Sequence, residues 1–199
     1  MARKRETSPE EIVEAAIRCF AKKGYHATKT ADIAKEAGVS EGTLYNYFKD
    51  KSALFVAVIE HINSVIDEEF FFDVDNEDVV EHYINDVAKL EEFAQRNKAY
   101  VEIVSRDLRH RDVSDICADF FDRHECRKKE DMELLAKACG FEPTVEEVEA
   151  MATCFNGGIE RIITRWCIGG AKGKVEPSPA AFINGFISIL KRAGRGSNK

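Results

Sequence analysis

The segment from Thr28 to Phe48 constrains the fold more than any other part of the chain, because it fits two short helices joined by a tight turn. Apolar residues recur at helical spacing on both sides of Gly38, which stands where such a turn needs a positive φ. Ala34 is small enough to let the second helix approach closely. The segment therefore predicts a helix-turn-helix, whose second helix enters the major groove of DNA.

Helical periodicity extends through the rest of the chain, with Thr30, Ser40 and Asp50 at positions that suit helix caps. Beyond the first four helices, we expect helical segments at about 77–95, 97–109, 112–139, 144–169 and 178–193. We find no strand pattern and no internal repeat. The prediction is an all-α fold, with a three-helix DNA-binding head at 1–51 and a helical ligand-binding and dimerisation domain at 52–199.

The composition, with 44% hydrophobic and 33% charged residues among 199, excludes global disorder. No apolar run nears the roughly 18 residues of a membrane-spanning helix, and no apolar signal region follows the first residues, so we expect a cytoplasmic protein. The net charge of −7 disfavours nucleic-acid binding on average, but residues 1–52 carry +2 and residues 53–199 carry −9. The basic charge is thus concentrated in the predicted head.

The residues from Phe20 to Tyr25 and from Ala37 to Lys51 resemble the N-terminal domain of the TetR family of bacterial transcriptional regulators. The resemblance covers roughly residues 8–58, and the remainder matches only in length and helical character. It implies a homodimer that binds double-stranded DNA through its heads and a small-molecule effector in its helical domain. It implies no cofactor and no membrane partner.

The resemblance also assigns DNA contacts to individual residues. The phosphate contacts that it implies are Thr30, Thr43, Tyr45, Tyr47 and Lys51. The base contacts that it implies are Glu41, Gly42 and Asn46, and these residue types can accept from cytosine, approach a thymine methyl and pair with adenine. Ala31 replaces a basic base reader of some members, so the chain reads fewer bases or compensates with a minor-groove arm formed by Arg3, Lys4 and Arg5. The Thr30 hydroxyl also suits a purely structural cap, and the Tyr47 ring also suits the core.

The chain has thirteen phenylalanines and one tryptophan, which suits either a dense core or an aromatic-lined cavity for an apolar or aromatic effector. His110, Cys117 and His124 recur every seven residues and could line one helical stripe. Successive members are about 10 Å apart along a helix, too far to share a metal ion. The residues that we expect to line the effector pocket are Phe70, Phe93, Cys117, Phe120, Phe121, His124 and Phe155.

The last two helical segments carry apolar residues in helical register, which favours a dimer interface. Gly157 and Gly158 in mid-helix cost about 1 kcal/mol each relative to alanine, and close approach of a helix from the other subunit would offset that cost. A kink is the alternative explanation. The residues that we expect in the interface are Phe155, Gly157, Gly158, Ile162, Phe182 and Phe186.

The leading hypothesis is a repressor that reads a pseudo-palindromic operator as a dimer and is released by its effector. The six cysteines include no C-x-x-C pair, so we expect buried thiols and no metal site. An alternative is a thiol- or metal-responsive transcriptional sensor that uses Cys117, Cys126 or Cys139. An enzyme is not expected, because the sequence has no nucleophile elbow, phosphate loop or HExxH motif.

Overall fold

The computed structural model describes residues 7–69, 78–168 and 177–197, without the side chains of 91, 119–128, 163 and 166–168. This part of the chain forms helices and no strand, which confirms the all-α prediction. None of its helices is long and apolar enough to cross a membrane. The helices are α1 (Pro9–Lys23), α2 (Thr30–Ala37), α3 (Glu41–Tyr47), α4 (Lys51–Glu69), α5 (Val79–Arg96), α6 (Lys98–Asp107), α7 (Arg111–Ile116), α8 (Ala118–Ala138), α9 (Val145–Ile168) and α10 (Pro179–Ser197).

Local signals in the sequence set the ends of the first four helices. Ser8 and Glu11 form a capping box at the start of α1, each side chain accepting from the backbone amide of the other residue. Ser40 and Asp50 accept from backbone amides three residues later, as expected for caps of α3 and α4. Gly38 ends α2 with a φ of 70°, in the left-handed region that the helix-turn-helix requires.

The expected cap of α2 is wrong. Thr30 is the first residue of the helix, and the cap position belongs to Lys29, whose amide donates to the Asp32 carboxylate at 3.2 Å. The carboxylate satisfies the free end of the helix from inside its first turn. The Thr30 hydroxyl is therefore available for contacts with other side chains.

The single helix expected over 112–139 is also wrong, because the chain turns at Cys117 between α7 and α8. The Cys117 amide donates to the Ser114 carbonyl at 3.0 Å, a tighter closure than that of an α-helix. Val113 and Cys117 are both buried, so the apolar spacing continues across the turn and conceals it. The stripe of His110, Cys117 and His124 does not lie on one continuous helix.

Packing divides the chain into two compact units, Met1–Glu69 with Ala99–Phe120 and Phe70–Lys98 with Phe121–Lys199. In the first unit, α1 packs against α2 and α4, and α2 packs against α3. Phe20 and Phe55 lie edge to face at its centre, with ring centroids 5.2 Å apart and no exposed surface. This unit holds the described part of the predicted head together with α4, α6 and α7. The functional boundary at residue 51 stays a prediction.

In the second unit, α10 packs against α5 and α9 around an aromatic cluster. The ring of Phe155 lies 5.7 Å from that of Phe182 and 5.2 Å from that of Phe186, all within one chain. A Cβ atom on Gly158 would lie 2.5 Å from the ring of Phe182, whereas one on Gly157 would meet nothing within 4 Å. The packing of α10 on α9 therefore explains Gly158 without a second subunit.

Candidate nucleic-acid interface

The outer face of α3 carries the polar side chains that the sequence assigns to DNA. Leu44 is completely buried and fixes this short helix on the core, which leaves Glu41, Gly42 and Asn46 exposed on its other side. Tyr45 is 48% exposed. A large aromatic side chain so exposed on a compact unit is typical of a contact surface.

A chain of hydrogen bonds joins the start of α2 to the outer face of α3. Thr30 Oγ1 donates to Glu41 Oε2 at 3.1 Å and lies 3.1 Å from Tyr45 Oη. A hydroxyl has one proton, so a Thr30 hydroxyl that donates to Glu41 can only accept from Tyr45. The Thr30 proton therefore points to the carboxylate of Glu41, and the Tyr45 proton points to Thr30 Oγ1.

Thr43 and Tyr47 take different positions on the same helix. Thr43 Oγ1 lies 2.9 Å from Ser40 Oγ at the start of α3. The ring of Tyr47 is 44% exposed, so it is not part of the core, and its hydroxyl donates to the carbonyl of Thr7 at 2.8 Å. That bond holds the start of α1 beside α3. The predicted arm residues lie outside the described residues: Arg3, Lys4 and Arg5.

Lys51 is held more closely than a solvent-exposed lysine. Its Nζ donates to the carbonyls of Tyr25 and Thr28 at 2.9 and 3.1 Å and lies 4.4 Å from the centroid of the Tyr25 ring. An ammonium group has three donors, so one remains for a phosphate. Residue spacing does not reveal this contact, because the two carbonyls belong to the turn between α1 and α2.

The sequence also did not identify a pair that holds the end of α1, the buried Asp107 and its neighbour Arg106. Arg106 donates to the carbonyls of Phe20 and Ala21 at 2.6 and 3.0 Å, and Asp107 accepts from the Tyr25 amide at 3.2 Å. Gly24 lies between them at a φ of 82°, where a Cβ atom would be 3.3 Å from both side chains. The sole signal in the sequence is an adjacent acid and base at the end of α6.

The structure places the expected pocket residues in both units. Cys117 is 1% exposed in the first unit, and Phe93 and Phe155 are buried in the second. Phe70 and the side chains of Phe120, Phe121 and His124 lie outside the described residues. The pocket therefore stays a prediction.

The buried cysteines lie where ionisation of their thiols is disfavoured. Burial raises the pKa of the Cys117 thiol to about 11, with a smaller contribution from the charge of Glu60. Burial also raises the pKa values of Cys19 and Cys139. Cys154 is exposed, so the expectation of buried thiols is wrong for that residue. In the described part of the chain, no three His, Cys, Asp or Glu side chains gather as metal ligands.

Residues 12–58, which contain most of α1, all of α2 and α3 and the start of α4, match the family described as "Bacterial regulatory proteins, tetR family". Residues 12–58 therefore form a TetR-family domain. The chain is 40% identical over 50 residues to the fatty acid metabolism regulator protein of Bacillus subtilis (strain 168), a match to 25% of this chain and 26% of the relative. It is 33% identical over 107 residues to the nucleoid occlusion factor SlmA of Haemophilus influenzae (strain PittGG). That match covers 52% of the chain and 49% of SlmA, so the chain spans half or less of the length of both curated relatives.

Solved structures resemble this chain over nearly its whole length. The transcriptional regulator FadR of Bacillus subtilis, in complex with stearoyl-CoA, superposes with a TM-score of 0.74 at 18% identity, covering 94% of this chain and 99% of FadR. At that identity the likeness concerns the fold. It extends beyond residues 12–58 to the helical domain, for which sequence identity gives little information.

Proposed function

We propose that the protein is a cytoplasmic transcriptional repressor that binds a pseudo-palindromic operator as a homodimer and leaves it when an apolar effector binds. The observation that carries the proposal is the exposed polar face of α3, fixed on a buried core within a TetR-family head. Asn46 and Gly42 are exposed on the helix that would enter the major groove. Each head would read one half-site of the operator.

The contacts to the DNA backbone are proposed for residues that surround this helix. Thr30, Thr43 and Tyr45 carry hydroxyl groups that can donate to phosphate oxygens, and Tyr47 is exposed beside them. Lys51 has one remaining donor at the start of α4. Backbone contacts of this kind fix register and orientation, and base contacts from α3 supply the sequence preference.

The dimer is proposed to form through the outward face of α9 and α10. Gly157 on α9 and Gly185 on α10 leave open space at their Cβ positions, and Ile189 on α10 is 61% exposed. A large exposed apolar side chain beside small residues supports helix packing from a second subunit. Among the expected interface residues, Phe155 and Ile162 are already buried within one chain, so the outward face is the better candidate.

The effector is proposed to be apolar and to bind the helical domain. FadR, which has the same fold, was solved with stearoyl-CoA, so a long acyl chain is the first ligand class to test. The second unit is rich in Phe, Ile and Leu side chains that could close around such a chain. The alternative of a thiol sensor receives no support from Cys117, since a pKa of about 11 leaves its thiol protonated at neutral pH.

Fluorescence anisotropy tests the proposal. The purified protein is titrated into labelled DNA from its own upstream region and into a scrambled duplex at two salt concentrations, and a selection from random duplexes supplies a preferred site if the upstream region lacks one. We expect preference for one sequence and affinity that falls steeply with salt. Stearoyl-CoA should release the DNA, whereas coenzyme A without an acyl chain should not. Equal affinity for selected and scrambled duplexes would contradict the proposal.

A further inference from the structure

Glu41 occupies an unexpected position for a residue at a DNA interface. It is the first residue of α3, and its carboxylate accepts the proton of Thr30 Oγ1, which in turn accepts from Tyr45. The two hydroxyls are those proposed to donate to DNA phosphates. In the protein without DNA, the carboxylate of Glu41 already accepts the Thr30 proton that a phosphate would need.

The carboxylate is stable in this position. The amino-terminal turn of a helix favours negative charge, and the Thr30 hydroxyl gives the carboxylate a donor. Other acidic residues of the head have partners, since Glu36 pairs with Arg18 at 2.7 Å and Asp32 with Lys23 at 2.9 Å. Within the part of the chain that the structure describes, Glu41 makes no ion pair.

We propose that Glu41 determines DNA specificity by competing with backbone phosphates for Thr30 and Tyr45, an inference that rests on the proposed function. A phosphate that takes these donors must displace the carboxylate, and two anions near the same hydroxyls repel each other. On a preferred half-site, the displaced carboxylate accepts from the N4 amino group of a cytosine. On other sequences the carboxylate faces base acceptors or phosphates, so no new hydrogen bond offsets the free energy of displacing it.

The competition makes Glu41 a residue that weakens binding to random DNA more than binding to the operator. Lys and Arg at an interface raise affinity for every sequence, because all duplexes carry the same phosphates. A carboxylate that leaves the hydroxyls readily only when a base donates to it lowers the affinity for sequences that lack that base. The expected consequence of removing its charge is tighter but less selective binding.

The variant Glu41→Gln tests the inference, since it keeps the side-chain length and an oxygen that accepts from Thr30 while removing the charge. We expect about fivefold tighter binding to a random duplex, from the loss of repulsion close to a phosphate. Affinity for the selected operator should stay equal or fall, so the ratio of the two affinities falls by about fivefold. The matched control is Glu146→Gln at the exposed start of α9, which makes the same change in charge. It should leave the ratio unchanged.

The background variant Thr30→Val tests whether the effect passes through the hydroxyl. Without that donor the carboxylate loses its hydrogen bond and no longer competes for it. Glu41→Gln should therefore tighten binding to random DNA less than it does in the wild type. An unchanged ratio in Glu41→Gln, beside a wild-type protein that prefers its operator, overturns this inference and leaves the proposed function standing. A wild-type protein without any preference overturns both. If Glu41→Gln raises the affinity for random DNA equally in the Thr30→Val background and in the wild type, the competition for the hydroxyls is overturned.

Discussion

Asp107 accepts a hydrogen bond from the backbone amide of Tyr25 at 3.2 Å, although the two residues are 82 positions apart. Tyr25 follows the glycine that ends α1, where amides and carbonyls lack helical partners. Arg106 binds two of those carbonyls and pairs with Asp107 at 3.1 Å. The Gly24 amide also donates to the Phe20 carbonyl, at 2.7 Å, so the end of α6 reinforces the cap that Gly24 gives α1 and holds the turn that leads to α2.

We expect Asp107→Asn to lower the free energy of unfolding by about 1–3 kcal/mol, because Asp107 is 2% exposed and its carboxylate serves two partners. Asparagine keeps an oxygen for the Tyr25 amide but loses the ion pair with Arg106. The control is Asp112→Asn, whose side chain is 66% exposed. Urea unfolding followed by circular dichroism measures both, and equal midpoints for the two variants would refute the buried role.

Lys51→Met should lower the stability of the head by about 1 kcal/mol, because the ammonium group bonds to two carbonyls of the turn after α1. Methionine keeps most of the aliphatic stem. We also expect weaker binding to all duplexes and a salt slope smaller by about one per lost contact. Lys49→Met, at an exposed position, is the control for stability. A Lys51→Met protein that melts like the wild type would show that the carbonyl contacts contribute nothing.

Asn46→Ala should change base preference rather than overall affinity. Asn46 is exposed on α3, and an asparagine that pairs with adenine contributes about 1–3 kcal/mol of discrimination. Competition between operators that differ at one base pair measures the effect. An equal loss of affinity for operator and random DNA would assign Asn46 to the backbone instead.

The adjacent glycines of α9 should respond oppositely to alanine. Gly158→Ala places a methyl group against the Phe182 ring and should cost about 1–3 kcal/mol, unless the ring shifts without loss of packing. Gly157→Ala meets open space and should stabilise the helix by up to about 1 kcal/mol. Thermal melting of the two variants makes the comparison, and a Gly158→Ala protein as stable as Gly157→Ala would show that the ring yields freely.

A larger substitution at Gly157 tests the proposed dimer interface. Gly157→Leu adds a bulky side chain to the outward face of α9 without a clash inside the chain, so it should weaken or break a dimer that uses this face. Light scattering gives the mass in solution. An unchanged dimer would place the interface elsewhere.

Cys117 should resist thiol reagents in the folded protein. With a pKa of about 11, roughly one thiol in ten thousand is ionised at pH 7, and the side chain is 1% exposed. Iodoacetamide should therefore modify the exposed Cys154 first, and unfolding should equalise the two rates. Mass spectrometry after timed quenching gives the rates. Equal rates in the native state would revive the thiol-sensor alternative.

The sequence alone determined the elements whose signals are local. Ser40 and Asp50 cap their helices as predicted, and Gly38 takes the positive φ that the turn needs. Such features depend on a few neighbouring residues and on backbone sterics, which is why spacing reveals them. The all-α fold class and the likeness of residues 12–58 to the TetR family follow from the same information.

The tertiary structure decided the contacts between distant segments. Three contacts join residues that no periodicity links. They are the hydrogen bond from the Tyr25 amide to Asp107, the hydrogen bonds of Lys51 to the turn after α1 and the hydroxyl chain that ends on Glu41. The turn at Cys117 was also hidden, because its buried residues continue the apolar spacing. Sequence patterns record which faces are buried, whereas partners across the core depend on how the helices pack together.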